Sequence, residues 1–318
     1  MTVAKVTLNM EQFTAQQEHD GKTVAAFLRM SVPGLSWSDA RRHIQARRVL
    51  VNGVVGIDDS RRISAGDRVD LVANSTAPLP DAADIRVVYQ DEDVLVIDKP
   101  AGMESERRRE QLTWSPEKRS RQPSVVEALR TKGFRALPVH RLDRDSSGLM
   151  LYALSGTARD ALAKEFVTHA IERTYLAIAV GSVESITVHN WIIRDRGDAR
   201  RGCIDHAAPD AQEAISHFRV IENIGGKYTL LSCRLETGRT HQIRLHLASL
   251  GHPLCGEKLY LKVQADTPEI PDPSNAPRHQ LHSTTLSFTH PIDSQPLHFE
   301  SGLPRDMSSL LERLRKAL

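Results

Sequence analysis

The stretch His140-Arg141-Leu142-Asp143-Arg144-Asp145-Ser146-Ser147-Gly148 concentrates charge between two apolar segments. Apolar residues lead into it over 136–139, and the apolar run that begins at Leu149 predicts a strand. A polar loop at the end of a strand is a common place for a functional site. Asp143 lies between two arginines, whose positive charge favours the ionised carboxylate. That carboxylate can be a nucleophile, a base or one partner in a structural ion-pair network.

A second polar cluster is Thr237-Gly238-Arg239-Thr240-His241-Gln242-Ile243-Arg244-Leu245-His246. Thr240 is predicted to cap a helix whose apolar face carries Ile243, Leu247 and Leu250. The N-terminus of a helix binds anions and orients polar side chains, so this cluster suits a charged site. A capped helix with solvated charges is the alternative interpretation.

Tyr175 is the third candidate, in a strand predicted over 174–180. Alternation along that strand places Tyr175, Ala177 and Ala179 on one face. Two alanines beside a large aromatic ring leave room for a flat group over the ring. A tyrosine packed in the core is the alternative.

The composition excludes several classes of protein. A length of 318 residues suggests two domains, and 40% apolar with 26% charged residues is ordinary for a globular protein. No apolar run is long enough to span a membrane, and we recognise no signal peptide, so we expect a cytoplasmic protein without a membrane partner. The three cysteines are widely spaced and form no disulfide framework, which fits a reducing compartment.

Several common catalytic motifs are absent from the sequence. It contains no GxxxxGK[ST] phosphate loop, no GxGxxG, no GxSxG elbow and no HExxH. The 14 histidines lack metal-ligand spacing with the cysteines. We therefore expect no metal and no cofactor, and chemistry that comes from ordinary side chains.

The N-terminal part, residues 15–74, is predicted to be a small α+β module. Two short helices, the second capped by Ser36 or Ser38, precede a small hairpin-like sheet. The net charge of the whole chain is only +2, so any affinity for nucleic acid must come from a local cluster. Candidate RNA-binding residues here are Arg41, Arg42, Arg47 and Arg48, with Arg41, Arg42 and Arg48 placed on one face of the second helix. A solvated helix face is the alternative interpretation.

The rest of the chain is predicted to be one α+β domain with a largely antiparallel sheet flanked by helices, over residues 85–318. Pro, Ala, Asp and Ser dominate 75–84, which indicates a linker. Hairpins are predicted around residues 90–93 and around Gly225-Gly226. Strands and helices do not alternate as βαβ units, which favours an antiparallel sheet. Residues 104–123 are highly charged with little apolar content, so we expect a mobile insertion.

These motifs, in this order, resemble an RluA-type RNA pseudouridine synthase. The resemblance runs from about residue 85 to 304. The N-terminal module resembles the S-four-type (alpha-L) RNA-binding domain that often precedes this catalytic domain, through Leu35-Ser36, Ile44, Val49, Val51-Asn52-Gly53 and Gly66-Asp67. The catalytic motifs are Val96-Ile97-Asp98-Lys99-Pro100-Ala101-Gly102, His140-Arg141-Leu142-Asp143, Tyr175-Leu176-Ala177, Thr237-Gly238-Arg239-Thr240-His241-Gln242-Ile243-Arg244, Gly251-His252-Pro253, Leu281-His282 and Phe288-Thr289-His290-Pro291. Arg173 stands where the family usually has Lys.

The resemblance implies the pseudouridine synthase fold and an isomerase that converts uridine to pseudouridine in RNA without a cofactor. It makes Asp143 the catalytic aspartate, with Arg244 as its ionic partner and Arg239 as the alternative partner. Tyr175 is expected to stack on the base or assist proton removal. Arg141 is expected to fill the space left by a flipped uridine, and Arg239 and His241 to contact RNA.

The resemblance favours large-subunit ribosomal RNA as the substrate, with transfer RNA as the alternative. It indicates RNA as the partner and no obligate protein partner. Two other functions remain open from the sequence. One is a non-catalytic RNA-binding protein on the same fold, and the other is a hydrolase that uses Asp143 as a base to release uracil.

Overall fold

The computed structural model of the chain describes residues 11–51, 54–55, 62–73, 80–107, 109–198 and 200–317. The chain divides into two units, within residues 1–78 and 79–318. The predicted turn at Asn52-Gly53 and the first part of the predicted linker, 75–79, lie outside the described residues. The remainder of that linker contains a short 3-10 helix, Ala82–Asp84.

The first unit pairs two helices with a small antiparallel sheet. Its core contains Phe27 from the first helix and Ile44 from the second. Thr23 and Ser36 accept hydrogen bonds at the two helix N-termini, as residues of this type do at N-caps. The elements are β1 (Glu11–Thr14), α1 (Val24–Ser31), α2 (Trp37–Gln45), β2 (Val49–Val51), β3 (Val54–Val55) and β4 (Arg68–Leu71), with sheet order β1-β4-β2-β3.

Two predictions for this unit need correction. The module does not begin at residue 15, because β1 (Glu11–Thr14) pairs with β4. Arg48 is not on the face of α2, because that helix ends at Gln45 and Arg47 adopts a left-handed conformation. Arg48 instead donates from its Nε to the carbonyl of Val72. Arg41 and Arg42 do lie on α2, where Arg42 pairs with Asp39.

The second unit is built on a large sheet, and 11 strands of it fall in the described residues. The path runs β11-β10-β12-β13-β9-β14-β8-β6-β5, with β15 paired to β14 and β7 to β8. Only the β8–β14 pair is parallel among the described pairs. The elements are β5 (Arg86–Gln90), β6 (Val94–Lys99), α3 (Pro116–Arg121), α4 (Val125–Thr131), β7 (Leu137–Pro138), β8 (Ser147–Ala153), α5 (Gly156–Val167), β9 (Glu172–Val180), β10 (Ile186–Ile193), β11 (Gly202–Ile204), β12 (Gln212–Ile224), β13 (Tyr228–Leu235), α6 (Gln242–Ser249), β14 (Leu281–Thr289), β15 (Pro296–Glu300) and α7 (Arg305–Lys316).

Both faces of the central strands are buried, which explains why β6 and β8 are apolar at nearly every position. Met150 and Tyr152 of β8 belong to the cluster that includes α4 and α6, and Leu149 and Leu151 belong to the cluster that includes α5. The architecture is therefore α+β with a largely antiparallel mixed sheet flanked by helices, as predicted. Alternation along β9 also holds, because Tyr175, Ala177 and Ala179 share the first of these clusters.

The segment 104–123 buries more than its composition suggests. It contains a 3-10 helix, Arg109–Thr113, as well as α3. Arg107 donates to the carbonyls of Arg119 and Gln122 and pairs with Glu127 at 2.7 Å. These bonds were not foreseen, because their acceptors are backbone carbonyls and a glutamate outside the segment. That the segment is mobile in the free protein stays a prediction.

Candidate active site

The loop that carries Asp143 is held in shape from outside by side chains that bond to its backbone. Ser105 Oγ donates to the carbonyl of Leu142 at 2.8 Å and accepts from its amide at 3.1 Å. Lys99 Nζ donates to the carbonyls of Arg144 and Ser146 at 2.9 and 2.7 Å. The loop is therefore fixed on both sides of Asp143, as a preorganised site requires.

Lys99 is completely buried, and burial lowers the pKa of its ammonium group to about 7. A third carbonyl, that of Pro100, completes its three donor bonds. An ammonium group can donate three hydrogen bonds, and Lys99 donates all three to backbone carbonyl oxygens.

The loop then enters β8 through Gly148, whose φ of +110° suits glycine. A Cβ atom at this position would collide with the backbone of Ser283 in β14. Glycine here allows β14 to pair in parallel with the start of β8. The close approach places the loop next to the middle of the sheet.

Asp143 is bound by Arg244, which lies on α6. Arg244 Nη1 donates to Asp143 Oδ2 at 3.0 Å, so the ion pair expected between these residues is present. The other side of the guanidinium binds Glu257 through two bonds, of 2.7 Å from Nε and 2.6 Å from Nη2. Glu257 is fully buried and also accepts the amides of Lys258 and Leu259. Arg244 is thus fixed by one carboxylate while it presents its remaining edge to another.

His241 and Tyr260 complete the surroundings of Asp143. His241 Nε2 lies 3.6 Å from Asp143 Oδ1, and its Nδ1 is 2.6 Å from the hydroxyl of Tyr260. The ring of Tyr260 also lies under the Arg244 guanidinium, 5.2 Å from its Cζ. Burial lowers the pKa of His241 to about 4, so its ring is neutral at neutral pH.

The electrostatics keep Asp143 ionised. Burial alone raises the pKa of this carboxyl. The charge that His241 gains below a pH of about 4, together with the permanent charge of Arg244, outweighs burial and brings the pKa down to about 2. Arg244 likewise lowers the pKa of Glu257 despite complete burial. At neutral pH the site therefore contains two carboxylates that share one guanidinium, and Asp143 is the more accessible of the two.

Helix α6 begins one residue later than predicted. Thr240 does not cap it; the N-cap residue is His241, which adopts a left-handed conformation without a capping side-chain bond. The polar contacts at this end of the helix are made by Gln242 instead. Its Oε1 accepts hydrogen bonds from Thr237 Oγ1 and from the amide of Arg239. The left-handed turn directs His241 towards Asp143.

Tyr175 reaches the same region through the sheet. In the register of the strands, Ser283 of β14 lies opposite Tyr175 on one side and Gly148 on the other. Tyr175 is therefore two strands from the end of the Asp143 loop, on the order of 10 Å for two strand spacings. It is buried in the cluster that also contains Leu142 and Ile243, the neighbours in sequence of Asp143 and Arg244.

The structure does not bring every predicted residue to Asp143. Arg239 is not its partner, because Arg239 Nε donates to the carbonyl of Glu213 instead. Arg141 is exposed at the edge of the loop. Arg41, Arg42, Arg47 and Arg48 belong to the other unit.

Sequence reasoning missed Glu257, Tyr260 and Lys99 as parts of the site. Lys99 lies in a motif that carried the resemblance, but it received no role. Glu257 is a single acid that follows Leu254-Cys255-Gly256. An acid after an apolar run is a weak indication of a buried partner for an arginine. In the described residues no group of acidic, histidine or cysteine side chains is arranged to hold a metal ion.

Comparison with known proteins agrees with this geometry. The family described as RNA pseudouridylate synthase matches residues 93–249. An RNA pseudouridine synthase of Bacillus subtilis, itself uncharacterised, is 30% identical over 97% of this chain and 99% of its own length. The chain belongs to the RluA-type family of RNA pseudouridine synthases. This membership makes it an isomerase that acts on RNA.

Other relatives extend the comparison. Ribosomal large subunit pseudouridine synthase D of Xanthomonas campestris pv. campestris is 32% identical over 97% of this chain and 93% of its own length. The solved structure of human RNA Pseudouridylate Synthase Domain Containing 4 matches 72% of this chain and 93% of its own, with a TM-score of 0.56 and 22% identity. That structure supports the pseudouridine synthase fold. No helix among the described residues is long and apolar enough to cross a membrane.

Proposed function

We propose that this enzyme converts specific uridines of large-subunit ribosomal RNA to pseudouridine and that Asp143 is its catalytic residue. The observation that carries the proposal is the contact of the Asp143 carboxyl group with Arg244, whose guanidinium Glu257 binds from the opposite side. Several relatives named as ribosomal large subunit pseudouridine synthase D align with nearly the whole chain, which favours ribosomal over transfer RNA.

The reaction needs no oxidant, reductant or added atom, because substrate and product are isomers. The bond from C1′ to N1 of uracil breaks, the base turns, and a bond from C1′ to C5 forms. The proton on C5 leaves and N1 gains one. Asp143 acts in this exchange as nucleophile or base, both of which require the ionised carboxylate that its surroundings maintain.

The uridine must leave its stack to reach Asp143, at a cost of a few kcal/mol. We assign Arg141 to the vacated space, since its side chain is exposed at the rim of the Asp143 loop. We expect Tyr175, which is buried in the same cluster as Leu142 and Ile243, to contact the base or the C5 proton. Arg239 and His241 extend the contact surface for RNA on the side of α6.

The first unit is assigned to RNA binding without chemistry. Its two helices and small sheet agree with the resemblance to the S-four-type RNA-binding domain. Arg41, Arg42, Arg47 and Arg48 supply local positive charge in a chain that is nearly neutral. RNA backbone contacts of this kind add affinity and orient the substrate.

The catalytic role is tested by Asp143→Asn, which keeps the size of the side chain and removes its charge. We expect a folded protein that binds RNA but forms no pseudouridine, measured by tritium release from labelled uridine. The matched control is Asp145→Asn, which changes a carboxylate two residues away, with its side chain paired to Arg144 at 3.9 Å. Near-normal pseudouridine formation by Asp143→Asn would overturn the assignment.

The competing functions give different products. A hydrolase releases free uracil from RNA, and a non-catalytic RNA-binding protein yields neither free uracil nor pseudouridine. The substrate is identified by mapping pseudouridine in total RNA from cells that lack the protein. We expect sites to be lost from large-subunit ribosomal RNA, and loss confined to transfer RNA would contradict this part of the proposal.

A further inference from the structure

Arg173, on β9, is buried without a neutralising carboxylate among the residues that the structure describes. It is 8% exposed, and no described group forms a hydrogen bond with its Nε. Within the described part of the chain, we find no ion pair or hydrogen bond for this side chain, only the ring of Phe166 at 5.1 Å. Burial of an unpaired cation is unfavourable, so a negative charge supplied from outside would stabilise this position.

The guanidinium of Arg173 lies between the two motifs that build the active site. A Cβ atom on Gly238 would lie only 3.4 and 3.5 Å from its two terminal nitrogens, so the group contacts the segment that leads into α6. On the other side, Phe166 also packs against His140, with 5.0 Å between ring centres. His140 precedes Asp143 by three residues.

Arg173 lies on the side of the sheet that α5 covers. Its register partner on β14, Leu286, belongs with Phe166 to the cluster that includes α5, whereas Tyr175 belongs to the cluster that includes α4 and α6. The register between β9 and β14 shifts between these two positions, so strict alternation does not extend from Tyr175 to Arg173. The link between Arg173 and the active site is therefore the exposed Gly238, which lies beside its terminal nitrogens.

We propose that Arg173 binds a backbone phosphate of the substrate RNA next to the reacting uridine, an inference that rests on RNA being the substrate. A planar guanidinium presents a rigid fork that matches two phosphate oxygens. Phe166 supports this fork and limits its motion before RNA arrives. Every nucleotide carries a phosphate, so this contact positions the RNA without reading its sequence.

The test compares Arg173→Met, which removes the charge and keeps an apolar stem against Phe166, with Arg173→Lys, which keeps the charge. Affinity for a transcript of large-subunit ribosomal RNA is measured over a range of salt concentrations. We expect Arg173→Met to weaken binding at low salt about tenfold and to reduce the slope of log affinity against log salt by roughly 0.7–0.9. Arg173→Lys should retain the wild-type slope.

The matched control is Arg159→Met on α5, the helix that carries Phe166. Arg159 is exposed and already paired with Asp160 at 2.8 Å, so its loss should leave the slope unchanged. The melting temperature adds a second readout. Loss of an unpaired buried charge should leave Arg173→Met at least as stable as the wild type. If the Arg173→Met protein does not fold, the same salt dependence is measured with Arg173→Gln.

An unchanged salt slope in a folded Arg173→Met protein would overturn the inference, and so would a lower melting temperature without a change in slope. The outcome is separate from that of the proposed function. If the wild type forms no pseudouridine but Arg173→Met lowers the slope, only the function fails. If the wild type is active and the slope does not change, only the phosphate contact fails.

Discussion

Arg244 is the residue on which the site depends, because it serves two carboxylates at once. Its bidentate pair with Glu257 is fully buried, and its single bond to Asp143 faces the loop. If the guanidinium rotated away from Asp143, it would also lose both of its short hydrogen bonds to Glu257. Glu257 therefore fixes the direction from which positive charge reaches Asp143, although its own side chain is fully buried.

The role of Glu257 as a positioning residue is tested by Glu257→Gln. The amide removes the charge behind Arg244, so the guanidinium loses its anchor and Asp143 loses a fixed partner. We expect kcat to fall by about 10²-fold, the size of effect seen for small misplacements, while affinity for RNA changes little. Breaking a buried pair also lowers the free energy of unfolding by roughly 3–5 kcal/mol.

The control for this variant is Glu213→Gln, which removes an exposed glutamate paired with His189. Exposed pairs of this kind contribute at most about 1 kcal/mol. Urea unfolding and single-turnover kinetics are measured on both proteins. A Glu257→Gln protein with wild-type kcat would show that Glu257 has no positioning role.

Among the elements, the Asp143 loop is unusual because its shape is set by side chains from distant parts of the chain. Lys99, Ser105 and Arg278 all donate to backbone carbonyls within it. A loop without its own helix or strand bonds has few other ways to satisfy its polar groups. These donors let an irregular segment hold Asp143 in one position.

Ser105→Ala tests this support at a single point. The substitution leaves the amide and the carbonyl of Leu142 without the Ser105 bonds. Because the site is buried, we expect a loss of roughly 1–3 kcal/mol in the free energy of unfolding, together with a lower kcat. Ser308→Ala on α7 is the control, since that hydroxyl bonds only within its own helix region. Equal stability of the two variants would contradict the supporting role.

For the molecule as a whole, buried histidines set the response to acid. Burial lowers the pKa of His140 to about 3 and those of His246 and His279 to about 4. The unfolded chain binds protons at these positions below pH of about 6.5, and the folded chain does not. Stability must therefore fall as the pH decreases from about 6.5 towards 4. Asp143 affects stability at lower pH than these histidines. The stability that its ionised form provides is lost as the pH falls from about 4 to its folded pKa of about 2.

We expect the free energy of unfolding to decrease between pH of about 7 and about 5, by up to roughly 1.4 kcal/mol per pH unit for each such histidine. Urea unfolding at several pH values measures it. His246→Met removes one of these groups from a fully buried position and should flatten the dependence. Stability that is constant or rises on acidification would show that these histidines are not buried as neutral rings.

The arginines of the first unit are tested in the full chain by the double substitution Arg41→Gln with Arg42→Gln on α2. If both contact phosphates, the salt dependence of RNA binding decreases by roughly 0.7–0.9 per contact. The rate of the chemical step with bound RNA should stay at the wild-type value. A wild-type salt dependence in the double variant would contradict the assignment of α2 to RNA binding.

Much of the local structure could be predicted from the sequence, because its causes lie within a few residues. Ser36, one of the two predicted caps, caps α2, and the alternation of Tyr175, Ala177 and Ala179 along β9 was predicted correctly. The two polar clusters around Asp143 and Arg244 were identified by charge density and by the resemblance. Turn chemistry, capping and periodicity depend on near neighbours and so are visible in the order of residues.

Only the tertiary structure decided which distant groups meet. Glu257 reaches Arg244 across 13 positions in sequence, and Lys99 reaches Ser146 across 47. The helix that Thr240 was expected to cap begins after a left-handed His241, whose ring lies 3.6 Å from Asp143. Whether a charge is buried, paired or left alone, as at Arg173, depends on what the fold packs against it. Burial and pairing are properties of the packed molecule, because they are set by neighbours that the order of residues does not specify.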